Sequence, residues 1–100
     1  MGKVRLKITP SLASIVNVIS SDWVIIEKEI GEGATIGDLL TGLALDYSDF
    51  REVVFNPDTR QVGEEVMIVL NDTLQQLSQV AEVKLNDGDT IILLPVYSGG

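Results

Sequence analysis

The chain has 100 residues, 45% of them hydrophobic, and a formal net charge of −8. This length and composition predict one globular domain with a modest core, and the negative charge disfavours nucleic-acid binding because phosphate backbones repel a polyanion. The absence of cysteine and histidine excludes disulfides, thiolate or imidazole zinc sites and histidine-activated nucleophiles.

The apolar runs of the sequence are short. Runs such as Val24–Ile26 fall far below the length of a membrane span. The N-terminus alternates charged and apolar residues and has no apolar signal region. We therefore expect a cytoplasmic protein with no membrane partner.

The first two predicted strands form a hairpin. Residues 3–9 alternate between apolar and basic side chains, as a half-buried strand does. Residues 23–30 predict the second strand, whose Glu27 and Glu29 can face those basic side chains across the hairpin. Residues 11–22 between the strands fit a short helix or a turn. The first strand directs Val4, Leu6 and Ile8 at the core, and the connection has helix-like spacing at Leu12, Ile15, Val16 and Ile19.

The clearest helix signal begins at Thr35. A threonine here can cap a helix, and Asp38 three residues later completes a start that resembles a capping box. Residues 49–55 can add a short helical turn, and the proline within residues 56–59 predicts a turn. The apolar stripe with the spacing of one buried helix face consists of Ile36, Leu39, Leu40, Leu43 and Tyr47.

The second half of the chain predicts two further strands. Residues 65–70 are apolar on both faces, so this strand is either covered or part of a contact surface. Residues 73–85 have a weak pattern with at most a short strand, and residues 86–89 predict a tight turn. Residues 90–96 predict a last strand that is hydrophobic on both sides and therefore central, beside the first strand. The predicted fold is α+β, with a mixed β-sheet packed on one main helix.

The sequence ends on Ser98, Gly99 and Gly100 directly after this strand. Two glycines have little bulk and wide backbone freedom, so such a tail can thread a narrow channel and present its carboxylate. Without cysteine, sulfur could be attached only at that carboxylate. We expect a folded domain over residues 1–94 and a flexible tail over residues 95–100. The alternatives are a frayed end with two chance glycines and an expression remnant.

Three stretches of the sequence resemble a known family. They read GEGATIGDLL at residues 31–40, LNDGD at residues 85–89 and PVYSGG at residues 95–100. In this order they are similar to the β-grasp sulfur carriers, which include the small subunit of molybdopterin synthase and the thiamine-biosynthesis sulfur carrier. The resemblance covers nearly the whole chain and implies a ubiquitin-like β-grasp fold.

The resemblance also implies a carrier that is not an enzyme and binds no cofactor or metal. An adenylyltransferase of the ubiquitin-activating type would consume ATP to adenylate the carboxylate of Gly100, and a sulfur donor would convert it to a thiocarboxylate. The tail would then enter a sulfur-accepting enzyme. The chain length favours the large subunit of molybdopterin synthase for this role. The tail residues inserted into that partner would be Pro95, Val96, Tyr97, Ser98 and Gly99.

Other functions remain open from the sequence. Leu94 replaces a proline that is usual in the molybdopterin branch, and residues 97–98 stand where one small residue is usual, so thiamine or cysteine synthesis could receive the sulfur. A ubiquitin-like modifier would instead be joined through Gly100 to lysines of other proteins.

A β-grasp interaction module would dock without chemistry at its C-terminus. The outward face of the last strand and the face of Met67 and Val69 are candidate docking surfaces. An enzyme would need an acidic acid/base or metal cluster, for which the candidates are Asp46, Asp49, Asp87 and Asp89.

Overall fold

The computed structural model describes residues 2–96, and the predictions for residues 97–100 lie outside that part of the chain. None of the helices in residues 2–96 is long and apolar enough to cross a membrane. The strands are β1 (Gly2–Ile8), β2 (Val24–Ile30), β3 (Phe55–Asn56), β4 (Gln61–Val62), β5 (Val66–Leu70), β6 (Thr73–Leu74) and β7 (Thr90–Pro95); the helices are α1 (Ile36–Asp46) and α2 (Ser48–Val53), with 3-10 helices at Pro10–Val16 and Val80–Glu82.

The main sheet has five strands in the order β2-β1-β7-β5-β6, and a separate two-stranded hairpin joins β3 to β4. Strand β7 runs parallel to β1, with Leu6 opposite Ile91, and antiparallel to β5, with Ile68 opposite Leu93. The remaining pairs in the sheet are antiparallel. The predicted mixed sheet is therefore confirmed, as is the central position of the last strand beside the first.

Helix α1 begins with the predicted capping box. The Thr35 side-chain oxygen accepts a hydrogen bond from the Asp38 backbone N–H at 3.1 Å, and the Thr35 N–H donates to the Asp38 carboxylate at 3.0 Å. These two bonds satisfy backbone donors that a helix start otherwise leaves free. The helix ends at Asp46 because Tyr47 adopts an extended conformation as its C-cap. The part of the predicted stripe that lies within α1 is buried, namely Ile36, Leu39, Leu40 and Leu43.

A single apolar core lies between α1 and one face of the main sheet. Val4, Leu6 and Ile8 of β1 are at most 1% exposed, as the alternation of that strand predicts, and Ile91 and Leu93 of β7 are fully buried. Helix α2 covers most of the short helical turn predicted for residues 49–55, and it closes one side of this core through Phe50. Full burial of each large apolar side chain contributes about 1.5–3 kcal/mol. The largest fully buried side chains include Leu6, Ile8, Ile36, Leu40, Leu43, Phe50, Phe55, Ile68, Ile91 and Leu93.

The connection between β1 and β2 differs in part from its helix-like spacing. A 3-10 helix buries Ile15 and Val16 and then ends at Asn17, whose φ of 61° is left-handed. The chain therefore turns away before it reaches Ile19, which is 102% exposed. The helix-like spacing therefore does not hold as far as Ile19, because the 3-10 helix ends at Val16, three residues earlier.

The connection between α2 and β5 contains the hairpin of β3 and β4, which the sequence pattern did not predict. Its turn was predicted, and the Asn56 side chain accepts a hydrogen bond from the Asp58 N–H at 2.9 Å. Arg60 follows in the left-handed region with φ of 56°. The hairpin is only two residues deep on each side, so it lacks the length that an alternating pattern needs.

Candidate functional site

The C-terminal tail leaves the sheet from the end of β7. Pro95 pairs with Val66 of β5, and the backbone N–H of Val96 donates to the Glu65 carbonyl oxygen at 2.9 Å. Even-numbered residues of β7 bond to β5 and odd-numbered ones to β1, so the N–H that Pro95 lacks does not interrupt the ladder with β5. Pro95 and Val96, which the sequence assigned to the tail, are thus attached to the edge of β5.

The residues predicted to carry the chemistry come next. Tyr97, Ser98, Gly99 and Gly100 lie outside the described residues, and their predicted roles stay predictions. The structure does describe the two residues before them, Pro95 and Val96, which we call the tail base. It lies between β5 and the end of β1, because Thr9 N–H donates to the Leu93 carbonyl oxygen at 3.4 Å.

The face of the sheet opposite α1 carries an apolar surface next to this base. The strand registers place Leu94 opposite Met67, and Ile92 opposite Val69. Leu74 of β6, which is 62% exposed, lies opposite Val69. We call this surface the outer patch, and it consists of Met67, Val69, Leu74, Ile92 and Leu94. Both docking surfaces considered from the sequence belong to it.

Charged residues border the outer patch on the side of β1. Lys7 lies opposite Ile92, and its ammonium is 5.2 Å from the centroid of the Trp23 ring, a cation–π geometry. Arg5 and Glu27 approach to 4.0 Å across the predicted hairpin. Both side chains are more than half exposed, so this pair adds little stability. These charged residues therefore limit the extent of the apolar surface, and their ion pair contributes little to the stability of the fold.

A second exposed apolar group lies at the same end of the domain as the tail base. Since β1 and β7 are parallel, the connection that follows β1 starts on the same side of the sheet as the end of β7. That connection exposes Val18, Ile19 and Trp23 at 38%, 102% and 43%. The helix-like spacing in the sequence grouped Ile19 with residues that are largely buried, so its exposure could not be predicted, because it depends on where the 3-10 helix stops.

The acidic residues considered for an enzyme do not converge. Asp89 is 9% exposed and accepts hydrogen bonds from the Asn71 side chain and the Asn86 N–H, both at 2.7 Å. Asp87 accepts from the Lys3 N–H at 2.8 Å. Within residues 2–96, acidic side chains form no group that could hold a metal ion. These two carboxylates instead hold turns against β1 and β5.

The mixed sheet, the helix across one face and the central last strand define a ubiquitin-like β-grasp protein. The ThiS family model matches residues 23–100. The chain therefore belongs to the ThiS family of β-grasp sulfur carriers. No match was found among curated proteins.

Solved structures with the same fold include proteins named as a modifier and as a putative molybdopterin converting factor subunit. The small archaeal modifier protein SAMP1 from Haloferax volcanii is 24% identical with a TM-score of 0.70, over 99% of this chain and 100% of that chain. A putative molybdopterin converting factor, subunit 1, from Pyrococcus furiosus is 26% identical with a TM-score of 0.67, over 95% and 98%. A chain of the Amycolatopsis orientalis BexX/CysO complex is 20% identical with a TM-score of 0.66, over 97% and 99%.

Proposed function

We propose that this protein is a sulfur carrier for molybdopterin synthesis, activated at the carboxylate of Gly100. The observation that carries the proposal is the match to the ThiS family, which runs through the glycine pair to residue 100. The similarity to a putative molybdopterin converting factor subunit supports this pathway over the others. The absence of cysteine leaves the carboxylate as the place where sulfur can be held.

The chemistry needs two displacement steps. In an activating enzyme, a carboxylate oxygen of Gly100 attacks the α-phosphorus of ATP, and pyrophosphate leaves. Hydrosulfide then attacks the acyl carbon of the adenylate, and AMP leaves to give the thiocarboxylate. A persulfide donor would instead give an acyl disulfide, whose S–S bond a second thiol cleaves to release the thiocarboxylate and a disulfide of the donor with that thiol. Transfer of that sulfur to the acceptor, with water supplying oxygen, restores the carboxylate. This protein contributes the acyl group and the docking surface, and its partners contribute the catalytic groups.

The outer patch supports docking of such partners. It lies beside the strand that leads into the tail, and the Val96 hydrogen bond fixes where the tail begins. Interface cores are apolar and depleted of charge, as the outer patch is. A tail that starts from an ordered base loses less conformational entropy on entering a channel than one that starts from a free end.

The test is an intact-mass measurement after incubation with the activating enzyme, ATP and a sulfur source. We expect a mass gain equal to exchange of one oxygen for sulfur, and deletion of Gly100 should abolish the gain while the protein stays folded by circular dichroism. A family sulfur carrier treated in parallel is the positive control. No gain here beside a gain in that control would refute the proposal.

A second candidate function is conjugation of Gly100 to lysines of other proteins. The full-length structural similarity to SAMP1, a protein named as a modifier, favours it. Proteomic detection of glycine-glycine remnants on lysines, lost when Gly100 is deleted, would support this role.

The acceptor of the sulfur can be identified by offering the thiocarboxylate form to molybdopterin, thiamine and cysteine synthases in separate reactions. Turnover only with the thiamine or the cysteine synthase would show that the sulfur goes to that pathway and not to molybdopterin synthesis.

A further inference from the structure

Strand β2 has one unoccupied edge. It ends the five-stranded sheet and pairs only with β1 among the residues that the structure describes. The Arg5 N–H donates to the Asp89 carbonyl and the Thr9 N–H to the Leu93 carbonyl, so odd-numbered residues of β1 direct their backbone groups at β7. Even-numbered residues of β1 therefore bond to β2, which they meet in pairs such as Leu6 with Ile26.

That alternation determines which groups of β2 are free. Since Ile26 and its even-numbered neighbours bond to β1, the backbone N–H and C=O groups of Ile25, Glu27 and Glu29 point at the open edge. Such a row of groups is a template for an additional strand. Peptide recognition by strand addition uses such an edge together with pockets for alternate side chains.

A groove runs between this edge and α1. It has a volume of about 230 Å³ and is open. A Cβ built at Gly42 would have no atom within 4 Å, so the wall formed by α1 is uncovered there. Its charged lining comes from Asp38 and Asp46 of α1 and Lys28 of β2, and Arg60 also approaches Asp38 at 3.9 Å. The apolar lining belongs to Ile30, Leu39 and Leu43. The exposed side chains of Glu27 and Glu29 lie on the opposite face of β2.

We propose that the edge of β2 binds an extended segment of a partner protein in which apolar and basic residues alternate. The segment adds a sixth strand through the free groups of Ile25, Glu27 and Glu29. Its apolar side chains lie over the groove, and its basic side chains, on the opposite face of the sheet, meet the carboxylates of Glu27 and Glu29. This surface is distinct from the outer patch and the tail, so its test does not depend on sulfur transfer.

The charges argue against a second copy of the chain as the occupant. The antiparallel register that pairs all seven residues of β2 with another β2 would place Glu27 opposite Glu27. Like charges directly opposite each other destabilise a strand pair, and each copy carries a net charge of −8. A basic segment gains from both features, because it meets unlike charge at the edge and a complementary field at a distance.

The probe is a synthetic peptide that covers β2 with alternating valine and lysine, titrated into the full-length protein labelled with ¹⁵N. We expect saturable shifts and slowed hydrogen exchange at the amides of Ile25, Glu27 and Glu29. A peptide with glutamate in place of lysine should bind at least about tenfold more weakly. Equal binding of the two peptides, or shifts confined to the outer patch, would overturn the proposal. Protection of the same amides at high protein concentration without peptide would also overturn it, by indicating self-pairing.

Two matched pairs of variants locate the site. Glu27→Pro removes the outward N–H, which an edge strand tolerates, and should abolish peptide binding, whereas Glu27→Thr loses the same carboxylate but keeps the N–H and should only weaken binding. Gly42→Leu fills the groove and should weaken binding about tenfold or more, whereas Gly42→Ala should not. If Glu27→Pro unfolds the domain, the comparison of Gly42→Leu with Gly42→Ala still tests whether the peptide binds at the groove. Unchanged binding in a folded Glu27→Pro or Gly42→Leu variant would refute the assignment.

Discussion

Two glycines of α1 have opposite surroundings although they stand five residues apart. Gly37 is buried, and a Cβ there would meet the Ala81 carbonyl oxygen at 2.7 Å and the guanidinium of Arg60. Gly42 faces open space. Arg60 could swing away, but the backbone of Ala81 could not move without shifting the 3-10 helix around it. The first glycine is therefore required by packing, and the second is not.

Alanine substitutions test this difference directly. Gly42→Ala should raise the free energy of unfolding by about 0.5–1 kcal/mol, because alanine loses less backbone entropy in a helix. Gly37→Ala should lower it by about 1–3 kcal/mol, because the methyl group overpacks a filled site. Urea unfolding followed by circular dichroism measures both. Equal effects of the same sign would contradict the packing assigned to Gly37.

The buried carboxylate of Asp89 gives a second test at the scale of single residues. Asp89→Ala would leave the Asn71 side chain and the Asn86 N–H without their acceptor. A buried donor that loses its partner costs about 1–3 kcal/mol. Glu52→Ala, at an exposed position of α2, should change stability by less than about 0.5 kcal/mol. Thermal unfolding of the two variants side by side measures the difference. Equal shifts of the unfolding temperature would contradict the stabilising role assigned to the Asp89 carboxylate.

At the scale of elements, α1 depends on its first turn. Thr35→Ala removes the side-chain acceptor of the capping box and should cost about 1 kcal/mol of stability. Thr35→Ser retains a hydroxyl and should lose only a fraction of that. Chemical denaturation of wild type and both variants gives the comparison. A serine variant as unstable as the alanine variant would show that the threonine methyl group, and not the hydrogen bond, matters.

Elements with strong periodicity could be predicted from the sequence, and those held by distant hydrogen bonds could not. The alternation in β1 and the stripe of α1 each fix a buried face without knowledge of neighbours. The segment around residues 80–85 has no such pattern, because bonds to the start of α1 determine its path. Ile36 N–H donates to the Val83 carbonyl at 2.8 Å, and Leu85 N–H to the Ala34 carbonyl at 2.8 Å.

The candidate site shows the same division. The apolar outward residues of β5 and β7 could be named as a docking surface because both strands read as apolar on both faces. Leu74 could not be added to them, since only its pairing with Val69 brings it onto that face. The free edge of β2 could not be predicted from the sequence either, because the place of a strand in a sheet follows from long-range pairing.

At the scale of the whole molecule, the two layers present different surfaces to partners. Leu74 on the outer patch and Leu45 on α1 are 62% and 71% exposed and lie on opposite layers. If activation uses the outer patch, Leu74→Ser should raise the KM of the activating enzyme for this protein about tenfold, equivalent to about 1.4 kcal/mol of binding. Leu45→Ser should leave it unchanged. Pyrophosphate exchange measures both, and equal effects would place docking elsewhere.

The central position of β7 also bears on how the chain matures during synthesis. Strand β7 is the last of the described strands to leave the ribosome, yet it separates the β1–β2 hairpin from the β5–β6 pair and supplies Ile91 and Leu93 to the core. A nascent chain that lacks it holds two unjoined hairpins, which are marginal alone. Completion of the sheet therefore coincides with emergence of the tail. A chain in which Pro95 is paired with Val66 has been translated past residue 95, and its core has closed.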